Sequence, residues 1–369
     1  MNRAESMPES HSEFEEQYVD LEEEKKRGGD KMIDYRRSST LEKLDGRNRS
    51  FVGSLVSADA IDKENVSSWA FNVLEFSSPQ CEAYVYYILE QFGFIREFNL
   101  DEKKVANFIG TTLHSYRKVD YHSIHHATQV THQTGWLLLR SGVDDVVGLG
   151  LILAALCHDI DHPGNNNSFE VASESELATL YAYDRVLERH HTATALRILK
   201  KEHCNLLAGC LLEAEDVKRV KQIIVNSILA TDMNIHSDMM SDLERLLPSA
   251  FNEVDVSGTK VLDALIGLII HTADLSTNCM TLEIAKTWGS RCLKEFKHQA
   301  EREQSLGLDV TPFMSNLETE KDRAKTQFGF CAFVVKPWFS TIAKFNIFDM
   351  SEALTNVDTV IKHYDGIRK

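Results

Sequence analysis

An almost wholly apolar run, Val146 to Cys157, leads directly into His158-Asp159-Ile160-Asp161-His162-Pro163-Gly164. A helix made of that run has no polar face, so it must be buried on all sides. It therefore carries four side chains able to bind a metal, within five residues, into the protein interior. Imidazoles and carboxylates are costly there unless a cation neutralises them. A second apolar stretch, Val261 to His271, does the same for Asp274, and a third cluster stands upstream at His122, His125 and His126. Two coincidental buried ion pairs would be the alternative, and two such helices in one chain weigh against it.

Composition narrows the class. The 369 residues suit one large helical domain plus a short flank, and 43% apolar content is enough for a sizeable core. A net charge of −16 argues against a binder of nucleic acid polymers, which would need a basic face. Bound metals can still invert the local field and admit a phosphate ester. The seven cysteines (Cys81, Cys157, Cys204, Cys210, Cys279, Cys292, Cys331) are scattered, without a Cys-x-x-Cys pair, as expected of reduced thiols in the cytoplasm. No secretory signal opens the chain. The longest apolar run is shorter than the roughly 17–25 residues of a membrane-spanning helix, so no transmembrane segment is expected.

Residues 1–60 read as a charged, linker-like segment, and 61–369 as the folded domain. Residues 1–50 alone hold 13 acidic and 10 basic side chains with no sustained periodicity. Arg36-Arg37-Ser38-Ser39 has the spacing that basophilic kinases prefer, which marks Ser39 as a candidate phosphosite. Beyond residue 65 apolar residues recur near the helical period, first at Phe71, Val73, Leu74 and Phe76, then at Tyr84, Ile88, Leu89 and Phe92. Helices are predicted over 103–116, 125–140, 146–159, 176–183, 190–199, 214–230, 239–246, 261–274, 285–306, 320–335 and 350–368. Pro163, Pro248, Pro312 and Pro337 are expected at element ends. No strand alternation of useful length appears, so the fold class is all-α.

His122 and His126 stand four apart, and on a helix they would share one face. Histidine and aspartate ligands without thiolate suit Zn²⁺, Mn²⁺ or Mg²⁺. A carboxylate shared by two ions would lower the pKa of a bridging water towards neutrality and make it a nucleophile for phosphorus. An unligated histidine is the natural donor of a proton to the leaving oxygen.

At this point the chain resembles the catalytic domain of class I 3′,5′-cyclic nucleotide phosphodiesterases. Tyr121, His122 and His126 fit the family's Tyr-His-x-x-x-His, and His158 to Gly164 fit its His-Asp-x-Asp-His-Pro-Gly, followed by Asn166-Asn167-Ser168-Phe169. Glu188-Arg189-His190-His191, Ala230-Thr231-Asp232-Met233, His271-Thr272-Ala273-Asp274-Leu275-Ser276 and Gln327-Phe328-Gly329-Phe330 follow in family order. The resemblance spans roughly residues 65–365 and implies a compact domain of about sixteen helices in three subdomains.

Carried over by position, the resemblance implies that His126, His158, Asp159 and Asp274 hold a Zn²⁺, with Asp159 bridging to Mg²⁺ (or Mn²⁺). It implies that His162, Glu188 and Thr231 orient metal waters. His122 would be the general acid, steered by Glu188, and Asp161 would lie near the site without ligating. Tyr121, Met233, Thr277, Cys292, Gln327 and Phe330 would line the nucleotide pocket, with Gln327 on the purine edge and Phe330 stacked on the base. The implied reaction is hydrolysis of cyclic nucleotides, cAMP ahead of cGMP, to 5′-monophosphates by a metal-bridged hydroxide with His122 as acid. Homodimerisation is common in the family.

Several positions depart from the family pattern. Ser123 and Thr277 stand where Asn is common, Gln129 where Asp is common, Arg189 where Asn is common, and Cys292 at an aliphatic wall position. None removes an expected ligand or the acid. Two other readings compete: an HD-type phosphohydrolase acting on another nucleotide phosphate, and a catalytically weak cyclic-nucleotide-binding scaffold. The Tyr121–His126 spacing and the Gln327–Phe330 element argue against the first, and the full ligand set against the second.

Overall fold

The computed structural model describes residues 68–250, 259–345 and 347–369. The expected boundary between residues 60 and 61 and the Ser39 motif lie outside them. Every regular element among the described residues is helical, as the periodicity predicts. In chain order these are α1 (Ser78–Gln91), α2 (Phe94–Glu97), α3 (Glu102–His114), α4 (Ile124–Ser141) and α5 (Asp145–Cys157). Then come α6 (Asn167–Ala172), α7 (Glu176–Leu180), α8 (Val186–Lys200), α9 (Ala214–Leu229) and α10 (His236–Ala250). The chain finishes with α11 (Thr259–Leu275), α12 (Leu282–Leu306), α13 (Glu320–Phe330), α14 (Lys336–Ala343) and α15 (Ser351–Arg368). No helix among the described residues is long and apolar enough to cross a membrane.

Helix α5 is the hub. Asp144 caps its start by accepting the Val147 N–H at 2.9 Å, and every residue from Val147 to Cys157 is buried. It packs against α9 and α4. The approach to α9 is so close that a Cβ on Gly150 would lie 2.7 Å from Ile223 Cγ2, so no larger residue fits without movement.

Three features differ from the periodicity. Phe71, Val73, Leu74 and Phe76 are not helical: Asn72 Oδ1 accepts the Leu74 N–H and Val73 C=O accepts the Phe76 N–H, which turns the chain. Their apolar pattern reflects burial instead, with Phe71 stacked on Tyr84 and His132. His122 precedes α4, whose N-cap is Ser123, so it does not share a helix face with His126. The helix predicted over 320–335 ends as α13 at Phe330, passes through a π turn at Cys331–Val335 and continues as α14. Pro337 thus sits just after a widened turn within a continuous rod, and Pro248 lies inside α10.

Candidate active site

Three helices converge on four ligand atoms. The first turn of α4 supplies His126, the end of α5 delivers His158 and Asp159, and the last turn of α11 delivers Asp274. His126 Nε2 lies 3.0 Å from Asp274 Oδ1 and 3.2 Å from His158 Nε2. His158 Nε2 lies 3.0 Å from Asp159 Oδ2 and 3.5 Å from Asp274 Oδ1. All four ligand atoms lie within 4.8 Å of one another. Around a tetrahedral ion at about 2.0–2.1 Å, ligand atoms stand roughly 3.3 Å apart, which is the spacing found. The tautomer fits too: His158 Nδ1 is held by the Ala155 carbonyl at 2.8 Å, which leaves the Nε2 lone pair for a cation. Two imidazole nitrogens facing each other across two buried carboxylates therefore fit a divalent metal.

His122 stands beside this cluster, and its partner is Glu295, not Glu188. Glu295 Oε2 takes His122 Nδ1 at 2.6 Å, while Oε1 accepts the backbone N–H groups of Tyr121 (2.6 Å) and His122 (2.9 Å). Burial works against a charge on His122, but the carboxylates of Glu295 and then Asp159 hold its pKa up at about 9. Burial would raise the Glu295 carboxyl, yet His122 and the two backbone donors hold it below the usual range. The pair makes a protonated imidazole whose Nε2 is left for a substrate.

Glu188 is engaged elsewhere: Asn167 Nδ2 donates to both of its oxygens at 3.0 and 2.9 Å. It sits in the first turn of α8, and burial pushes its carboxyl up to about 7. His162 stacks on His122 with ring centroids 3.8 Å apart, and its Nδ1 accepts the Gly164 N–H. Burial, then the positive His122, keeps His162 neutral. Asp161, in the left-handed region at φ 62°, accepts from Arg117 Nε at 2.7 Å and pairs with His190 Nε2 at 2.9 Å, so it braces the turn without ligating.

His191 was not singled out as a site residue by the sequence. Its Nδ1 is held by the Ile160 carbonyl at 2.7 Å, which leaves a buried, unpartnered Nε2 at 3.9 Å from Asp159 Oδ1. Burial lowers its pKa to about 3, so it stays a neutral acceptor. Its signal was the second histidine of the Glu188–His191 element.

One cavity of about 860 Å³ joins these groups. His122, Asp159, His162, Glu188, Thr231 and Asp274 line its polar end, with His126 and His158 fully buried behind them. Tyr121, Met233, Thr277, Cys292, Gln327 and Phe330 line the remainder, so all the expected pocket residues are brought together. Thr231 spends its hydroxyl proton on the Ile228 carbonyl, and Thr277 shares a 2.9 Å hydrogen bond with the Tyr121 hydroxyl. Arg189 pairs with Asp184 on the surface, away from these contacts. Gln129 has both side-chain polar atoms buried without a protein partner, and nothing in the structure explains its departure from the family pattern.

Comparisons with known proteins agree with this geometry. The family model for 3′5′-cyclic nucleotide phosphodiesterases matches residues 121–357. The high affinity cGMP-specific 3′,5′-cyclic phosphodiesterase 9A of Mus musculus is 31% identical over 290 residues, 78% of this chain and 52% of that protein. A probable 3′,5′-cyclic-AMP phosphodiesterase of Caenorhabditis elegans is 30% identical over 301 residues, 77% of this chain and 43% of that one. The chain thus spans about half the length of the curated relatives it matches. The phosphodiesterase domain of the RhoPDE fusion protein from the choanoflagellate Salpingoeca rosetta superimposes with a TM-score of 0.78 at 31% identity, covering 85% of this chain and 98% of that one. The matched stretch contains every ligand of the cluster together with His122 and Glu295, and on these grounds the chain belongs to the 3′,5′-cyclic nucleotide phosphodiesterase family.

Proposed function

We propose that the chain hydrolyses 3′,5′-cyclic nucleotides, cAMP ahead of cGMP, to 5′-monophosphates, and so terminates cyclic nucleotide signalling. The observation that carries this is the His122–Glu295 pair opening into the same cavity as the four-ligand cluster. A water oxygen bonds to phosphorus, the P–O3′ bond breaks, and the proton on His122 Nε2 passes to O3′. Glu295 keeps that imidazole charged until then and restores its proton affinity afterwards.

In this reading His126, His158, Asp159 and Asp274 hold Zn²⁺, and Asp159 also serves Mg²⁺ or Mn²⁺. When bound, the two ions supply Lewis acidity and a water of lowered pKa. The neutral Nε2 of His191, the near-neutral Glu188 carboxyl, Thr231 and His162 are acceptors and donors suited to orienting water on that side. Phe330 supplies a face for the base, with Cys292 lining the same cavity. The same reading takes the chain to act in the cytoplasm, consistent with seven free cysteines, and allows a homodimer and phosphorylation at Ser39.

The test is hydrolysis of cAMP and cGMP by the purified chain with Mg²⁺ and again after chelation. Chelator-sensitive release of 5′-monophosphate is expected. No turnover of either nucleotide by folded, metal-loaded protein would overturn the proposal.

A further inference from the structure

Gln327 lies directly over a helix that has no side chain beneath it. An ideal Cβ on Gly289 would stand 2.9 Å from Gln327 Oε1, 3.1 Å from its Cδ and 3.2 Å from the Tyr364 hydroxyl. Contacts that short do not occur between real atoms, so any residue but glycine would lift the glutamine or displace Tyr364. Gly289 is not in a left-handed conformation, so backbone freedom is not its reason. Space is.

The same glycine also sets the sense of the amide. Gln327 Nε2 donates to the Gly289 carbonyl at 3.3 Å. A carbonyl can only accept, so the end of the amide turned towards it is nitrogen. One N–H is spent there, while Oε1 has no protein donor bonded to it among the described residues. Both residues line the cavity beside Trp288, Cys292 and Phe330.

We propose that Gly289 is a specificity-determining residue: by its missing side chain and its carbonyl it seats Gln327 with the amide oxygen on offer to the base. An oxygen on offer suits a base edge that donates, the 6-amino group of adenine. It suits less well the guanine edge, which presents a carbonyl at that position. Gly289 acts through Gln327 and is a positioning residue rather than a catalytic one. The inference rests on the cyclic-nucleotide reading above and adds which base that site favours and why.

The experiment is a double-mutant cycle of wild type, Gly289→Ala, Gln327→Ala and the double variant. Each protein is read by kcat/KM for cAMP and cGMP, by equilibrium binding of AMP and GMP, and by metal content. Gly289→Ala is expected to lower the cAMP-to-cGMP ratio about tenfold, the size of one misplaced hydrogen bond, through KM and with metal content unchanged. In the Gln327→Ala background the same substitution should leave the ratio where it is. An equal fall in both backgrounds, or an unchanged ratio in the single variant, overturns the inference. If wild type turns over neither nucleotide, the phosphodiesterase reading fails, while AMP and GMP binding still completes the cycle. Should Gly289→Ala not fold, Gln327→Asn, one methylene too short for the Gly289 carbonyl, reads the same seat, and a wild-type ratio there overturns it.

Discussion

Glu295 holds His122 twice, once through the ring nitrogen at 2.6 Å and once through the backbone N–H at 2.9 Å. The carboxylate therefore fixes both where the imidazole sits and how strongly it keeps its proton. Glu295→Gln keeps the shape and removes the charge. His122 must be protonated to act as an acid, so turnover falls as pH rises through its pKa. With the anion gone that pKa drops from about 9, and the high-pH limb of the kcat profile should move to lower pH. A fall in kcat of about 10²-fold near neutrality is expected as well. An unshifted limb would rule out Glu295 as the charge partner.

Asp274→Ala removes one ligand of four from the end of α11. Elemental analysis should show the metal lost, and turnover should fall to near background. Helical circular dichroism should be retained, because α11 is held by an apolar face from Leu265 to Ile270. Full metal occupancy in this variant would contradict the ligand assignment.

Chelation should also lower the melting temperature. Without a cation the pocket holds two carboxylates beside imidazoles that burial disfavours charging, and a ligand bound only to the folded state stabilises it by mass action. A thermal melt unchanged by chelator would place the metal outside the folded core.

Asp161 tests the turn rather than the chemistry. Against burial, His190 and Arg117 hold its carboxyl down at about 2, below an ordinary value of 3.8. Its contribution to stability is therefore present above pH 3.8 and lost as pH falls through about 2. Asp161→Asn should cost about 2 kcal/mol at neutral pH, and the gap to wild type should close in acid. Denaturant melts at pH 7 and pH 2 read both.

Much of this was legible because burial left a local trace. Helices α5 and α11 have almost no polar face, so a reader of the sequence knows they are interior and that whatever follows them is delivered to the interior. Glu295 left no such trace, since it stands in a stretch crowded with exposed charge, Lys294-Glu295-Phe296-Lys297. The signal was longer in range: Trp288, Cys292, Glu295, Gln299 and Glu303 fall at the helical period, and apart from the half-buried Cys292 all are buried. A charged residue on the inward stripe of an amphipathic helix marks a partner inside. The contact itself crosses 173 residues, a separation at which no local pattern operates. For the same reason the turn at Asn72 hid behind aromatic residues that are buried without being helical.

The π turn between α13 and α14 is a matter of phase. Lys336 N–H reaches back five residues to Cys331, and Pro337, which has no N–H to return, follows at once. Upstream of that turn the rod shows Gln327 and Phe330 to the cavity, and downstream it buries Trp338 against Thr272. The surplus residue is what lets one rod serve two faces that an unbroken helix would leave out of step. Deleting a single residue from Cys331–Val335 would rotate one half against the other by about 100°. The chain would then have to choose between its nucleotide clamp and its core, which makes this turn the gear that couples the two.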